Sequence, residues 1–236
     1  MVPTPAVEQR NWRMLGAGAS VSIGIGYVAI IALYVPMGAR PSGAEAWLAS
    51  LSAHQPSWGW IIALSVLTDL LFLPLAAALY CVLRQFGSVL AALSAGAIVL
   101  FVVLDLPRTW MNYAALAGFA AEWNAAAGGA ARDALLSAAR YPVAIIESNL
   151  LFTYNSLTLA IGIGLAGLLM WRGAFGRWTA VLGIATGLLG VVAVAGPPFI
   201  PSLSATIIVV SVMTTAWLLM VGYGLLRGTR PQASAP

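Results

Sequence analysis

The sequence has no lysine; all 11 of its basic residues are arginine. Without a lysine amine there can be no retinal Schiff base, no pyridoxal-phosphate attachment and no Walker-type phosphate loop. The single cysteine, Cys81, excludes an internal disulfide or a thiolate cluster. The single histidine, His54, excludes a bis-histidine haem site and the usual zinc ligand sets. Charge of either sign is scarce too, at 8% of 236 residues against roughly a quarter in a soluble domain. The net charge of +4 is therefore spread over isolated arginines and makes no nucleic-acid-binding patch. No metal, no cofactor and no nucleic-acid partner is expected, and any chemistry falls to carboxylates, Arg, Tyr, Asn, Ser and Thr, or to a bound ligand.

What the sequence does contain is hydrocarbon. Hydrophobic residues make up 61% of it, in runs long enough to cross a bilayer. That composition belongs to an all-α, polytopic membrane helical bundle, a single integral domain over 1–236. Between Arg13 and Arg40 lie 26 residues without a charge, where roughly 20 suffice for one crossing. This run is too long for the core of a cleaved signal and is read as retained. The spacing of charges predicts six spans, at about 15–38, 57–84, 88–106, 141–171, 178–196 and 203–227. The last two come from a stretch of 49 uncharged residues, Trp178 to Leu226, which Gly196-Pro197-Pro198-Phe199-Ile200-Pro201 must interrupt because helical hydrogen bonding cannot run through it. The tail from Gly228 to Pro236 and the first few residues are expected to be disordered.

Basic residues in short loops favour the cytoplasmic side. Arg10, Arg13, Arg84, Arg172, Arg177, Arg227 and Arg230 fall on one side and Arg40, Arg108, Arg132 and Arg140 on the other. This predicts an inner (plasma) membrane protein with both termini in the cytoplasm. The outer connection from about Thr109 to Arg140 carries Trp110, Tyr113, Phe119 and Trp123 among alanines and is expected to hold helix. Both an interfacial or re-entrant helix and a plain extension of span three fit it. Small residues recur on spans one, four and five, where close backbone approach supplies the contact that lipid does not. The Gly183/Gly187 pair suits packing within the chain or formation of a homodimer.

Three acids interrupt the apolar runs: Asp69, Asp105 and Glu147. Facing lipid at mid-membrane, each would cost about 2.5–3.5 kcal/mol, so they must face protein or water. Asp105, Arg108 and Asn112 follow at i, i+3 and i+7 beside Pro107, which places carboxylate, guanidinium and amide on one face. At 100° per residue Glu147, Tyr154 and Thr158 make a stripe on span four, flanked by Ser148 and Asn155. Ser65, Asp69 and Tyr80 share a side of span two, and Ser20, Tyr27 and Tyr34 recur by heptads on span one. These stripes are expected to line one cavity in the outer half of the bundle, with Arg108 as counter-ion to Asp105, Glu147 or both. Each acid also has a structural reading, as an interfacial ion pair or a hydrogen-bonded member of the bundle.

The runs Met170-Trp171-Arg172-Gly173, Gly176-Arg177-Trp178-Thr179-Ala180-Val181-Leu182-Gly183-Ile184 and Ala216-Trp217-Leu218-Leu219, followed by Gly222-Tyr223, resemble a bacterial six-span family catalogued as domain of unknown function 4386. The resemblance lies mainly in the C-terminal half, with Gly176 standing where a proline is expected before the Arg-Trp pair. It implies a six-span layout and no particular activity.

A carboxyl in an apolar pocket without a cationic partner holds its proton more readily and can serve as a general acid. The chemistry that fits is acid-base cyclisation or isomerisation of a lipophilic, isoprenoid-like or lipid substrate. Glu147, Asp69 and Asp105 are the candidate catalytic groups, with Arg108, Asn112, Tyr113, Tyr154, Asn155 and Trp110 binding substrate. Aromatic faces there would stabilise a carbocation. The alternatives are a proton-coupled carrier or channel for a small solute, in which the acids form a relay, and a lipid-binding sensor or accessory subunit.

Overall fold

The structure, a computed structural model, describes residues 5–126 and 128–227. Gly228 to Pro236, Arg230 and the first residues lie outside the described residues. Every regular element among the described residues is helical: α1 Pro5–Tyr34, α2 Ala44–Ala53, α3 Gln55–Leu83, α4 Ser88–Asp105, α5 Met111–Ala125, α6 Ala130–Glu147, α7 Asn149–Leu169, α8 Arg177–Ala195 and α9 Thr206–Arg227. Six helical segments are long and apolar enough to cross a membrane, namely Val7–Met37, Gln55–Phe86, Ser88–Ala125, Asn149–Gly173, Arg177–Ala195 and Thr206–Arg227. They agree in number and order with the six expected spans.

The first segment starts at Val7 and not near residue 15, because α1 runs on through the charged residues Glu8, Arg10 and Arg13. Two further boundaries differ from the sequence reading, each for a local reason. The third segment does not end near residue 106, because a π-helical turn, Leu106–Trp110, absorbs Pro107 and passes the helix on to α5. The fourth does not begin at residue 141. The backbone leaves the helix at Ser148 (φ −67°, ψ 111°), and the Ser148 hydroxyl accepts a hydrogen bond from the Leu151 amide, starting a new helix with an N-cap.

The chain forms two compact units. One takes in the described parts of 1–25, 70–102 and 153–236; the other takes in 26–69 and 103–152. Helices α1, α3, α4 and α7 contribute residues to both.

The first unit is held by small residues. A Cβ on Gly187 would lie 2.5 Å from the Gly164 Cα, and one on Gly167 would lie 2.6 Å from the Ile184 amide nitrogen, so α7 and α8 meet backbone to backbone. Gly183 meets the indole of fully buried Trp217 from α9. The Gly183/Gly187 pair is thus taken up by packing within the chain. Polar side chains here bond to carbonyls of neighbouring helices: Ser20 donates to Leu218 at 2.6 Å, Ser94 to Gly162 at 2.7 Å and Thr153 to Val194 at 2.9 Å. Such bonds satisfy hydroxyls that lipid could not.

The second unit has a core of another kind. Trp47, Leu48 and Leu51 of α2, Trp58 and Ile61 of α3, Tyr113, Leu116 and Ala120 of α5, and Ala139, Val143 and Ile146 of α6 are all buried in one cluster. Aromatic rings fill much of it, and every acid singled out in the sequence lies in this unit.

Candidate functional site: a carboxyl pair on one indole

The site begins with the π-helical turn. In a regular α-helix, residues five apart point about 140° away from each other. Here the Met111 amide bonds to the Leu106 carbonyl, an i→i+5 closure that brings Asp105 and Trp110 to the same side. Pro107 favours such a turn because it has no N–H to place in an i→i−4 ladder. The side-chain amide of Asn112 donates to the carbonyls of Pro107 at 3.0 Å and Arg108 at 2.8 Å, so it serves the distorted backbone.

The Trp110 indole N–H then donates to two carboxyls at once. It lies 2.9 Å from Asp105 Oδ2 and 2.8 Å from Asp69 Oδ2, which arrives from α3. Both acids are buried, at 3% exposure for Asp69 and 7% for Asp105. On the other oxygen of Asp105, the Thr109 hydroxyl donates at 2.6 Å while accepting from the Arg108 guanidinium at 3.1 Å. A continuous polar chain therefore runs from Arg108 through Thr109, Asp105 and Trp110 to Asp69. Tyr27 of α1 lies within the electrostatic reach of both carboxyls. α1 and α3 are close here, since a Cβ on Gly26 would lie 2.5 Å from Thr68 Cγ2. One turn before Asp69 on the same face of α3, the buried Ser65 hydroxyl has no hydrogen-bond partner among the described residues, and neither does the Trp58 indole N–H two turns further back.

Glu147 occupies a separate place, at the end of α6. Its Oε1 accepts from the Gly43 amide at 3.0 Å and from the Trp47 indole at 2.9 Å, which ties the start of α2 to the α6/α7 corner. The Ile146 carbonyl at that corner accepts from Arg40 at 3.0 Å and from Arg108 at 3.3 Å, and the Ser148 carbonyl also accepts from Arg108 at 3.4 Å. Cations on the last carbonyls of a helix oppose the negative end of its dipole. The Arg108 guanidinium also lies over the Phe152 ring, 5.6 Å from its centre. Arg108 thus links the corner to the carboxyl pair, with the Thr109 hydroxyl between it and Asp105.

Between these two polar centres the rings are continuous. Tyr113 stacks on Trp110 at 5.6 Å and on Trp58 at 5.4 Å, Trp47 meets both Tyr113 and Trp58 edgewise, and Tyr34 meets Trp58 at 5.5 Å. Offset and edge-to-face contacts of this kind add to the area buried.

The structure brings together Asp69, Asp105, Arg108, Asn112, Tyr113 and Trp110, and places Glu147 in the same unit. Tyr154 and Asn155 belong to the other unit; Tyr154 is 58% exposed, and Asn155 is buried and accepts from Thr158 at 2.7 Å through its carbonyl. The stripe from Glu147 to Thr158 does not exist as one helical face, because Ser148 ends the helix that would carry it. Sequence reasoning overlooked Thr109, Trp47 and Arg40. The Ser148-Asn149 cap signal was there to be read, but helical periodicity could not reveal the partners of the other three. Among the described residues, no group of three His, Cys, Asp or Glu is placed to hold a metal ion. No family model, no curated protein and no solved structure matches the chain.

Proposed function

We propose that this chain is an integral membrane protein of the inner membrane, with both termini cytoplasmic, and that the Asp69/Asp105 pair is an acid-base site acting on a lipophilic molecule. The carrying observation is the single indole N–H shared by two buried carboxyls on different helices. Two carboxyls brought to one donor make a paired-acid site, in which neighbouring oxygens can pass a proton from one to the other. Such a pair can donate a proton to a carbon–carbon double bond and take one back from a neighbouring carbon, which is the net chemistry of isomerisation or cyclisation. The Trp110 face turned away from Tyr113 suits a transient positive charge. Glu147, Arg40 and Arg108 position the α6/α7 corner in this reading. In the proposed orientation, α2, α5 and α6 lie on the outer side. The C-terminal resemblance noted above is compatible with this layout and carries none of the chemistry.

The test is mass spectrometry of lipid extracts from cells expressing the wild type, Asp69→Asn or Asp105→Asn at matched protein levels. A lipid made or consumed only by the wild type is expected. Extracts that do not differ among the three would overturn the enzymatic reading. A second reading, a proton-coupled carrier, draws on the polar chain from Arg108 to Asp69 and on the unpartnered Ser65 hydroxyl beside it. It requires instead that purified protein in liposomes move protons with a solute and lose that flux in Asp69→Asn.

A further inference from the structure

Away from the carboxyl pair, the first unit holds a pocket of about 330 Å³ lined by Glu8, Gln9 and Trp12 of α1 and by Cys81, Arg84 and Gln85 at the end of α3. Its position is informative. Glu8 is the second residue of the segment Val7–Met37, and Arg84 is the third from the end of Gln55–Phe86. Both walls are therefore ends of membrane-length helices, the depth that lipid headgroups occupy when such helices cross a bilayer, a placement that rests on the membrane reading proposed above. A tryptophan at that depth suits the interface.

The lining chemistry is equally specific. One carboxylate and one guanidinium share the concavity, accompanied by two side-chain amides and an indole face. Among the described residues, neither the Glu8 carboxylate nor the Arg84 guanidinium has a hydrogen-bond or ion-pair partner. A purely anionic ligand would meet Glu8 and a purely cationic one would meet Arg84. A zwitterion satisfies both, and phosphate, the anion common to phospholipid headgroups, matches the planar guanidinium fork bidentately. A primary ammonium can donate hydrogen bonds to Glu8, which a quaternary ammonium cannot.

We propose that this pocket binds the phosphoethanolamine headgroup of a phospholipid, its phosphate on Arg84 and its ammonium on Glu8.

Cys81 supplies a reporter, because it is the only cysteine of the chain and lines the pocket. The full-length protein is reconstituted in nanodiscs of phosphatidylcholine with rising phosphatidylethanolamine, or with phosphatidylglycerol, and the rate of Cys81 modification by N-ethylmaleimide is followed by intact mass. Thermal stability in detergent is titrated in parallel with short-chain versions of the same lipids. Phosphatidylethanolamine is expected to slow modification and raise the unfolding temperature saturably. Glu8→Gln and Arg84→Gln should each weaken that response about tenfold, as loss of one charge-assisted contact does. Protection by soluble phosphoethanolamine as well would show that the headgroup suffices; protection from the bilayer alone would make the lipid the ligand. Equal responses to phosphatidylcholine or phosphatidylglycerol, or an undiminished response in both variants, would overturn the proposal. Unliganded unfolding temperatures of the variants separate lost binding from lost folding.

Discussion

Replacing Trp110 by Phe removes the one N–H that two buried carboxyls share, while leaving a ring to stack on Tyr113. The indole donates a single proton, so the two contacts count as one bifurcated bond to a charged group, worth about 1.5–3 kcal/mol. The smaller ring adds about 1 kcal/mol for the volume it leaves unfilled. Trp58→Phe is the matched control. Trp58 is 2% exposed in the same ring cluster, but its indole N–H has no partner among the described residues, so the substitution incurs the volume loss without the hydrogen bond. The difference between the two variants should therefore be at least about 2 kcal/mol, since Trp58→Phe also relieves an unpaired buried donor. For a chain of this size that is about 4–8 °C in unfolding temperature, read by thermal denaturation of the purified protein in detergent. A second substitution sharpens the test. Asp105→Asn in the Trp110→Phe background introduces an amide donor beside Asp69 and should recover part of the loss. Equal stability of the two Phe variants, or a further loss with Asp105→Asn, would refute the shared-donor reading.

Gly187→Val should prevent recovery of folded protein, because its Cβ would lie 2.5 Å from the Gly164 Cα and 2.9 Å from the Ala160 carbonyl oxygen, atoms of backbone that cannot turn aside; Gly18→Ala, with nothing within 4 Å, should be tolerated. Size-exclusion yield after purification checks both. Glu147→Gln keeps an oxygen able to accept from Gly43 and Trp47 and should leave stability nearly unchanged, whereas Glu147→Ala loses both bonds at a cost of about 1 kcal/mol, at the low end because the group is exposed. If Glu147→Gln matches the wild type in the lipid-extract assay as well, Glu147 positions the corner and does not transfer a proton. Ser148→Ala removes the cap on α7 and should cost about 1 kcal/mol, measurable as a lowered unfolding temperature.

The membrane-length helices were legible because length and charge spacing leave an apolar run no other place, and because a run of prolines and glycine must interrupt a stretch too long for one crossing. The small-residue faces were legible too, but not the helices that would receive them. Gly183 and Gly187 look alike in sequence, and only the packed chain sends one against Trp217 and Gly167 and the other against Gly164. The carboxyl site shows the same division. That Asp69 and Asp105 must avoid lipid follows from their charge. That they meet at one indole N–H depends on a π-helical turn, which shifts Trp110 out of the 3.6-residue register, and on α3 delivering Asp69 to the same point. Glu147 was assigned to the wrong helix for a related reason: apolar residues resume at Leu150 after the polar Glu147-Ser148-Asn149, so the two runs read as one, while the backbone stops at Ser148 and caps itself. Periodicity records which way a side chain points relative to its own helix. The rotation of the neighbouring helix, and a single residue gained or lost in a turn, are set by how the surfaces pack, and no one-dimensional pattern carries that information.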